Sequence, residues 1–143
     1  ISAWGCPLLI MASTVNASAA AAAIRDSEQD VVIIPAGLTS DPNFPAQEDS
    51  VAAVYIASKA GISIGEGHEQ YRKWKDRIDN EGIEALFLSS LHAEKLRRRG
   101  LEKDISFCAQ VDITGSVPIA VERCGVAVRC VDLAKRTSTG YPS

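Results

Sequence analysis

Apolar residues fall along this chain in three kinds of spacing, and each kind predicts a different element. The first is the continuous run. Leu8-Leu9-Ile10-Met11 has the length of a core strand. It breaks into the polar Ser13-Thr14-Val15-Asn16, after which Ala19 to Ala23 run on with no glycine or proline to interrupt them. Alanine is the strongest helix former, and the short oxygen-bearing side chain of Asn16 or Ser18 suits a helix N-cap. The stretch from Leu8 to Ile24 therefore predicts a strand, a tight turn and a helix. Val31-Val32-Ile33-Ile34, four β-branched residues in succession, predicts a second strand covered on both faces and ended by Pro35-Ala36-Gly37. Pro42 and Pro45 make the following 38–47 a loop.

The second kind is helical. Val51, Val54, Tyr55 and Ser58 share one face of a helix opened by Glu48-Asp49-Ser50 and closed by Ala60-Gly61. Tyr71, Trp74 and Ile78 mark an amphipathic helix within a charged stretch. Ile83–Leu88 predicts a short helix, because Glu84 argues against a strand, and Ala93–Arg99 predicts another, closing at Gly100. The third kind is alternation. Ile105, Phe107, Ala109 and Val111 alternate with smaller or polar residues, predicting a strand that ends at Asp112. Val117–Val121 and Val126–Val131, joined by a turn ending in Gly125, predict a β-hairpin. The polar tail 135–143 is expected to fray. This order of elements predicts the α/β class: a mixed, largely parallel sheet with helices on its faces.

Composition narrows the partners. The chain of 143 residues is one domain with room for a real core, 46% hydrophobic and 23% charged. A net charge of −3, with Arg97-Arg98-Arg99 as the longest basic run, argues against nucleic acid. No apolar stretch approaches the ~20 residues of a membrane span. Cys6, Cys108, Cys124 and Cys130 form no Cys-x-x-Cys pair and read as buried thiols of a cytoplasmic protein. The chain opens on Ile1 and runs almost at once into a strand, which reads as part of a longer protein.

Candidate chemistry lies at the element ends. The strand-to-helix junction at Asn16, Ala17 and Ser18 offers backbone N–H groups and a positive helix end to a phosphate or carboxylate. Glu48 and Asp49, at a helix start, either complement the macrodipole or hold a hard cation such as Mg²⁺. Ser89 and Ser90 precede a helix as N-cap or nucleophile. His92 is a general base, a phosphate donor or a structural histidine, and Asp112 is a site carboxylate or a turn former. Gly65-Glu66-Gly67 alone is too weak to indicate a nucleotide.

Taken in order, several of these pieces resemble the 2-phosphosulfolactate phosphatase family. They are Val15-Asn16-Ala17-Ser18-Ala19 after a strand, Ile34-Pro35-Ala36-Gly37 ending the next, and Glu48-Asp49 at a helix start. Leu88-Ser89-Ser90 with His92 follows, then the run from Asp104 to Asp112 ahead of Val117-Pro118. The resemblance spans about Leu8 to Val121. It implies a three-layer α/β/α fold and a Mg²⁺-dependent phosphatase that converts 2-phospho-3-sulfolactate to 3-sulfolactate on the route to coenzyme M. It further implies that Asn16, Ala17, Ser18 and Gly37 bind phosphate, and that Glu48 and Asp49 hold the metal. Asp49, Asp112 and His92 would take part in catalysis, with Ser89 and Ser90 contacting substrate. Family members are longer, so this chain would be their C-terminal part, with an upstream portion or a second copy as possible partner. The competing reading is a non-catalytic fragment or subunit that binds a small anionic metabolite.

Overall fold

The computed structural model describes residues 5–37, 41, 43–62 and 68–136. Helices dominate these residues: α1 (Ala17–Asp26), α2 (Gln47–Ala60), α3 (Glu69–Glu81), α4 (Ile83–Leu88), α5 (Leu91–Arg98), α6 (Glu102–Cys108) and α7 (Leu133–Arg136). Two strands, β1 (Pro118–Cys124) and β2 (Ala127–Asp132), form the hairpin that the sequence predicts. They pair antiparallel with a bulge between Ala120 and Glu122. Gly65-Glu66-Gly67, most of the Leu38–Pro42 stretch and the tail from residue 137 lie outside the described residues.

α2 is the axis of the packing. On one side α1 presents its buried Ala17, Ala20 and Ala21, side chains small enough to bring the two helix backbones close. On the other, Val51 packs with Leu86 and Phe87 of α4, Ala93 of α5, and Ile105 and Ala109 of α6 and its end. Trp74 and Ile78 of α3 lie against this cluster and anchor that helix, while Tyr71 is not among the residues packed on it. α2 ends at Gly61, whose φ of 66° is the left-handed C-cap conformation that glycine adopts without steric cost.

The sheet departs from expectation. Among the described residues the regular sheet is the two-stranded hairpin, and the anticipated parallel pairings do not form. Leu8–Met11 makes one antiparallel bridge, Ile10 to Ile119, flanked by Met11 N–H to Pro118 O (2.8 Å) and Ala120 N–H to Leu9 O (2.9 Å). Val31–Ile34 is not a covered strand: the segment has no strand partner among the described residues, and Val32 and Ile34 are 82% and 64% exposed. The predicted strand over Ile105–Val111 is helix α6 through Cys108. Its burial explains why. Ile105 and Ala109 are buried while Phe107 is 56% exposed, the i, i+4 spacing of a helix rather than the alternation of a strand. Glu102 and Asp104 in its first turn favour that helix through its dipole. The four cysteines are also corrected: all are free thiols on exposed residues, Cys124 at the hairpin turn and Cys108 at the α6 end.

Candidate functional site

The site residues predicted from sequence gather at the two ends of α2. Glu48 and Asp49 stand in its first turn and Lys59 in its last. Eleven residues at 1.5 Å rise separate Glu48 and Lys59 by roughly 16 Å along the axis. The ends are therefore best taken as separate clusters.

At the N-terminal end, Glu48 Oε1 lies 2.7 Å from His92 Nδ1. Because a carboxylate oxygen only accepts, this bond places a proton on Nδ1 and leaves Nε2 of a neutral ring with its lone pair. The imidazole and the Phe44 ring also meet perpendicular to one another, their centroids 6.1 Å apart, while Lys95 Nζ sits 3.9 Å from the Phe44 ring centroid. The second oxygen, Glu48 Oε2, is buried with no hydrogen-bond partner among the described residues. Asp49 turns elsewhere: its Oδ2 accepts the Gly37 N–H at 2.9 Å. Adjacent helical residues do not face one another, so the neighbouring carboxylates take different partners. Among the described residues no group of three or more His, Cys, Asp or Glu side chains converges as a metal centre. The donor suited to a cation is the orphaned Glu48 Oε2. One carboxylate completed by waters and phosphate is an ordinary environment for Mg²⁺.

The two serines nearby have structural bonds. Ser90 is buried, and its hydroxyl caps α5 by accepting the Ala93 N–H at 3.0 Å. Ser89 Oγ donates to Leu86 O at 3.2 Å and accepts from Gln47 Nε2 at 3.2 Å.

At the other end, Asp112 caps α1 from 94 residues away. Its Oδ1 accepts the Ser18 N–H at 2.6 Å, and its Oδ2 accepts the Ser18 hydroxyl at 2.7 Å. The anion position at the start of α1 is thus filled by the protein's own carboxylate. Lys59 Nζ completes the cluster, 3.1 Å from Asp112 Oδ2 and 3.0 Å from Ser18 Oγ. Desolvation pulls the Asp112 carboxyl upward, but the Ser18 hydroxyl and amide, together with Lys59, outweigh it and hold the group below its ordinary value. Lys59 is raised in turn, first by Asp112 and then by Tyr55. Asp112 reaches this position at a φ of 55°, a left-handed conformation that aspartate tolerates better than most residues.

Asn16 stands at the N-cap position of α1, yet its side chain does not cap that helix. Its Oδ1 accepts from Ser13 N–H at 2.8 Å, and its Nδ2 donates to Ser116 O at 2.9 Å and Met11 O at 3.3 Å. Ala17 is fully buried.

Sequence reasoning passed over Lys59 and the acidic partner of His92. A lysine before a terminal glycine carries no sign beyond dipole complementarity, and Glu48 and His92 are 44 residues apart.

Comparison with known proteins shows a family match over most of the chain. The family model described as 2-phosphosulpholactate phosphatase matches residues 3–123. A protein of Thermotoga petrophila named "Probable 2-phosphosulfolactate phosphatase" is 27% identical over 113 residues, covering 79% of this chain and 48% of its own length. One of the same name from Carboxydothermus hydrogenoformans is 30% identical over 110 residues, covering 77% of this chain and 45% of its own length. The chain spans about half the length of the curated relatives it matches.

Proposed function

The chain belongs to the 2-phosphosulpholactate phosphatase family, and from that premise we propose that it takes part in hydrolysing the phosphate ester of a small 2-hydroxy acid. The proposed substrate is 2-phospho-3-sulfolactate and the products are 3-sulfolactate and phosphate, in the cytoplasm and on the route to coenzyme M. The observation that carries the reading is the Glu48–His92 pair with its unpartnered carboxylate oxygen, beside the Gly37–Asp49 contact.

Phosphoryl transfer asks a protein mainly for positioning and charge neutralisation. Glu48 would hold Mg²⁺ through its unpartnered oxygen, with Asp49 as the neighbouring carboxylate. Bound there, the ion would neutralise the phosphoryl oxygens and favour ionisation of the attacking water. His92, oriented through Nδ1 by Glu48, would move the proton at Nε2: away from water during attack, or onto the departing alkoxide. Asp49 fixes the Gly37 backbone against the start of α2, where Gly37 would meet the phosphate. Asn16, Ser18 and Asp112 act in this reading by holding the frame, since their groups are bonded to the protein itself. Ser89 and Ser90 set the start of α5 and with it the place of His92. The three-layer sheet belongs to the same proposal; the β-branched 31–34 segment, without a strand partner among the described residues, supports it, as does the presence of longer relatives.

Phosphate release from 2-phospho-3-sulfolactate, with Mg²⁺ and with EDTA, tests the reading. Asp49→Asn and His92→Asn are each expected to lower turnover by at least tenfold while keeping the native circular dichroism. Undiminished release by folded His92→Asn would remove the proton-transfer role. A folded chain with no release, and no loss of thermal stability in EDTA, would favour the non-catalytic anion-binding reading instead.

A further inference from the structure

A helix leaves its last carbonyl groups without partners of its own, and α4 ends at Leu88 beside the cluster built on Val51. The corner leading into α5 supplies partners for three of them. Ser89 N–H reaches Ala85 O at 3.0 Å, Ser90 N–H reaches Phe87 O at 3.2 Å, and Arg97 Nη2 reaches Leu88 O at 2.8 Å. Because Ser90 N–H turns to Phe87, Leu86 O takes side-chain donors instead: Gln47 Nε2 from the first residue of α2, and the Ser89 hydroxyl at 3.2 Å. Leu86 is fully buried, so water cannot serve this carbonyl in their place. A carbonyl oxygen only accepts, which fixes the amide nitrogen of Gln47 on that side; the same nitrogen donates to Ser89 Oγ at 3.2 Å. Gln47 thus ties the start of α2 to the corner between α4 and α5. Glu48, the next residue, ties the same helical turn to His92 in the first turn of α5, at 2.7 Å. Successive helical residues point about 100° apart, so the two ties restrain movement in different directions.

From this geometry we infer that Gln47 is a positioning residue for His92. It holds the start of α5 against the start of α2, so that Glu48 keeps the imidazole proton on Nδ1 and leaves Nε2 as the acceptor. Hydrogen bonds weaken steeply as they lengthen or bend, and the proton's place on an imidazole follows the bond that its other nitrogen makes. Without the Gln47 tie, the two helix starts are joined at this corner by the Glu48–His92 bond itself and by packing. The ring is then free to take the Nε2–H form that an unbonded histidine prefers, which puts the proton where the acceptor should be. The consequence for turnover rests on the hydrolysis reading; the placing of the proton does not.

Nitrogen NMR of the chain labelled in its two histidines tests this, in EDTA and in alkaline solution where the rings are neutral. His92→Asn identifies the His92 signals. Wild type is expected to hold His92 in the Nδ1–H form. Gln47→Met, of similar length but without a donor, should lower the ratio of Nδ1–H to Nε2–H by about tenfold, the worth of one hydrogen bond. Gln47→Glu, which suits the start of a helix but likewise cannot donate, should shift it the same way. Ile119→Val serves as the control: it trims a buried side chain of β1, which belongs to neither tie, and should lower the thermal midpoint with the ratio unchanged. An unchanged ratio in both folded Gln47 variants, an equal fall in Ile119→Val, or an Nε2–H ring in wild type would overturn the inference. In phosphate release, both Gln47 variants should lower kcat and leave KM unchanged. A shifted ratio with no release from any chain, wild type included, would uphold the positioning role and remove the hydrolysis reading.

Discussion

Asn16 is committed before any ligand arrives. Its amide oxygen and nitrogen together bind three backbone groups, tying the turn before α1 to residues 11 and 116. A buried side chain with every group in use is a poor phosphate donor and a good clasp. Asn16→Asp replaces two donor bonds with a carboxylate facing two carbonyl oxygens, and should destabilise the fold by about 3 kcal/mol. Urea denaturation checks this, and a midpoint unchanged from wild type would refute it. Asp112 and Lys59 make a pH-dependent contribution of the opposite character. The folded Asp112 value is depressed below 3.8, so its stabilisation is present above that value and lost as pH falls through the folded value. The folded Lys59 value is raised above 10.5, so its contribution is present below that and lost as pH climbs through the folded value. With both side chains about a third exposed, the pair is worth at most about 1 kcal/mol. Asp112→Asn should therefore be less stable than wild type at neutral pH, with the gap closing in acid below 3.8. Paired denaturation curves across that range measure it.

At the scale of elements, local rules were readable where they acted alone. The alanine run specified α1, Gly61 the end of α2, Glu84 the helical choice for α4, and two apolar runs the hairpin. Ser90 is the plainest case, an N-cap recognised from its position before a helix and found bonded to Ala93 N–H. Ser90→Ala should cost about 1 kcal/mol, visible as a lowered thermal midpoint. The misread segments are those where two periods fit the same letters. Ile105 and Ala109 serve an i, i+4 helical face as readily as an alternating strand, and only packing against Val51 and Leu86 separates the readings. Pairings within the candidate site were hidden for a different reason. Glu48 with His92 and Ser18 with Asp112 join positions 44 and 94 residues apart, and no local spacing encodes such contacts. The residue types were legible and their partners were not.

For the molecule as a whole, the exposed Val31–Ile34 segment matters most to its behaviour in solution. Four β-branched residues, with Val32 and Ile34 largely exposed and no strand partner among the described residues, offer a ready surface for edge-to-edge association. Val32→Lys combined with Ile34→Lys should raise the concentration at which the chain stays monomeric in light scattering, with the thermal midpoint shifted little because both side chains are already exposed. The clasp joining residues 10–18 to 108–119 has a consequence for time rather than for equilibrium. Its long-range side-chain hydrogen bonds close intervals of 94 to 100 residues, whereas the helices between them form from near neighbours. Closing so long a loop costs entropy that only an already collapsed helical body can reduce. The clasp should be the last part to assemble and the first to let go, so disabling it at Asn16 should quicken unfolding and leave the refolding rate almost untouched.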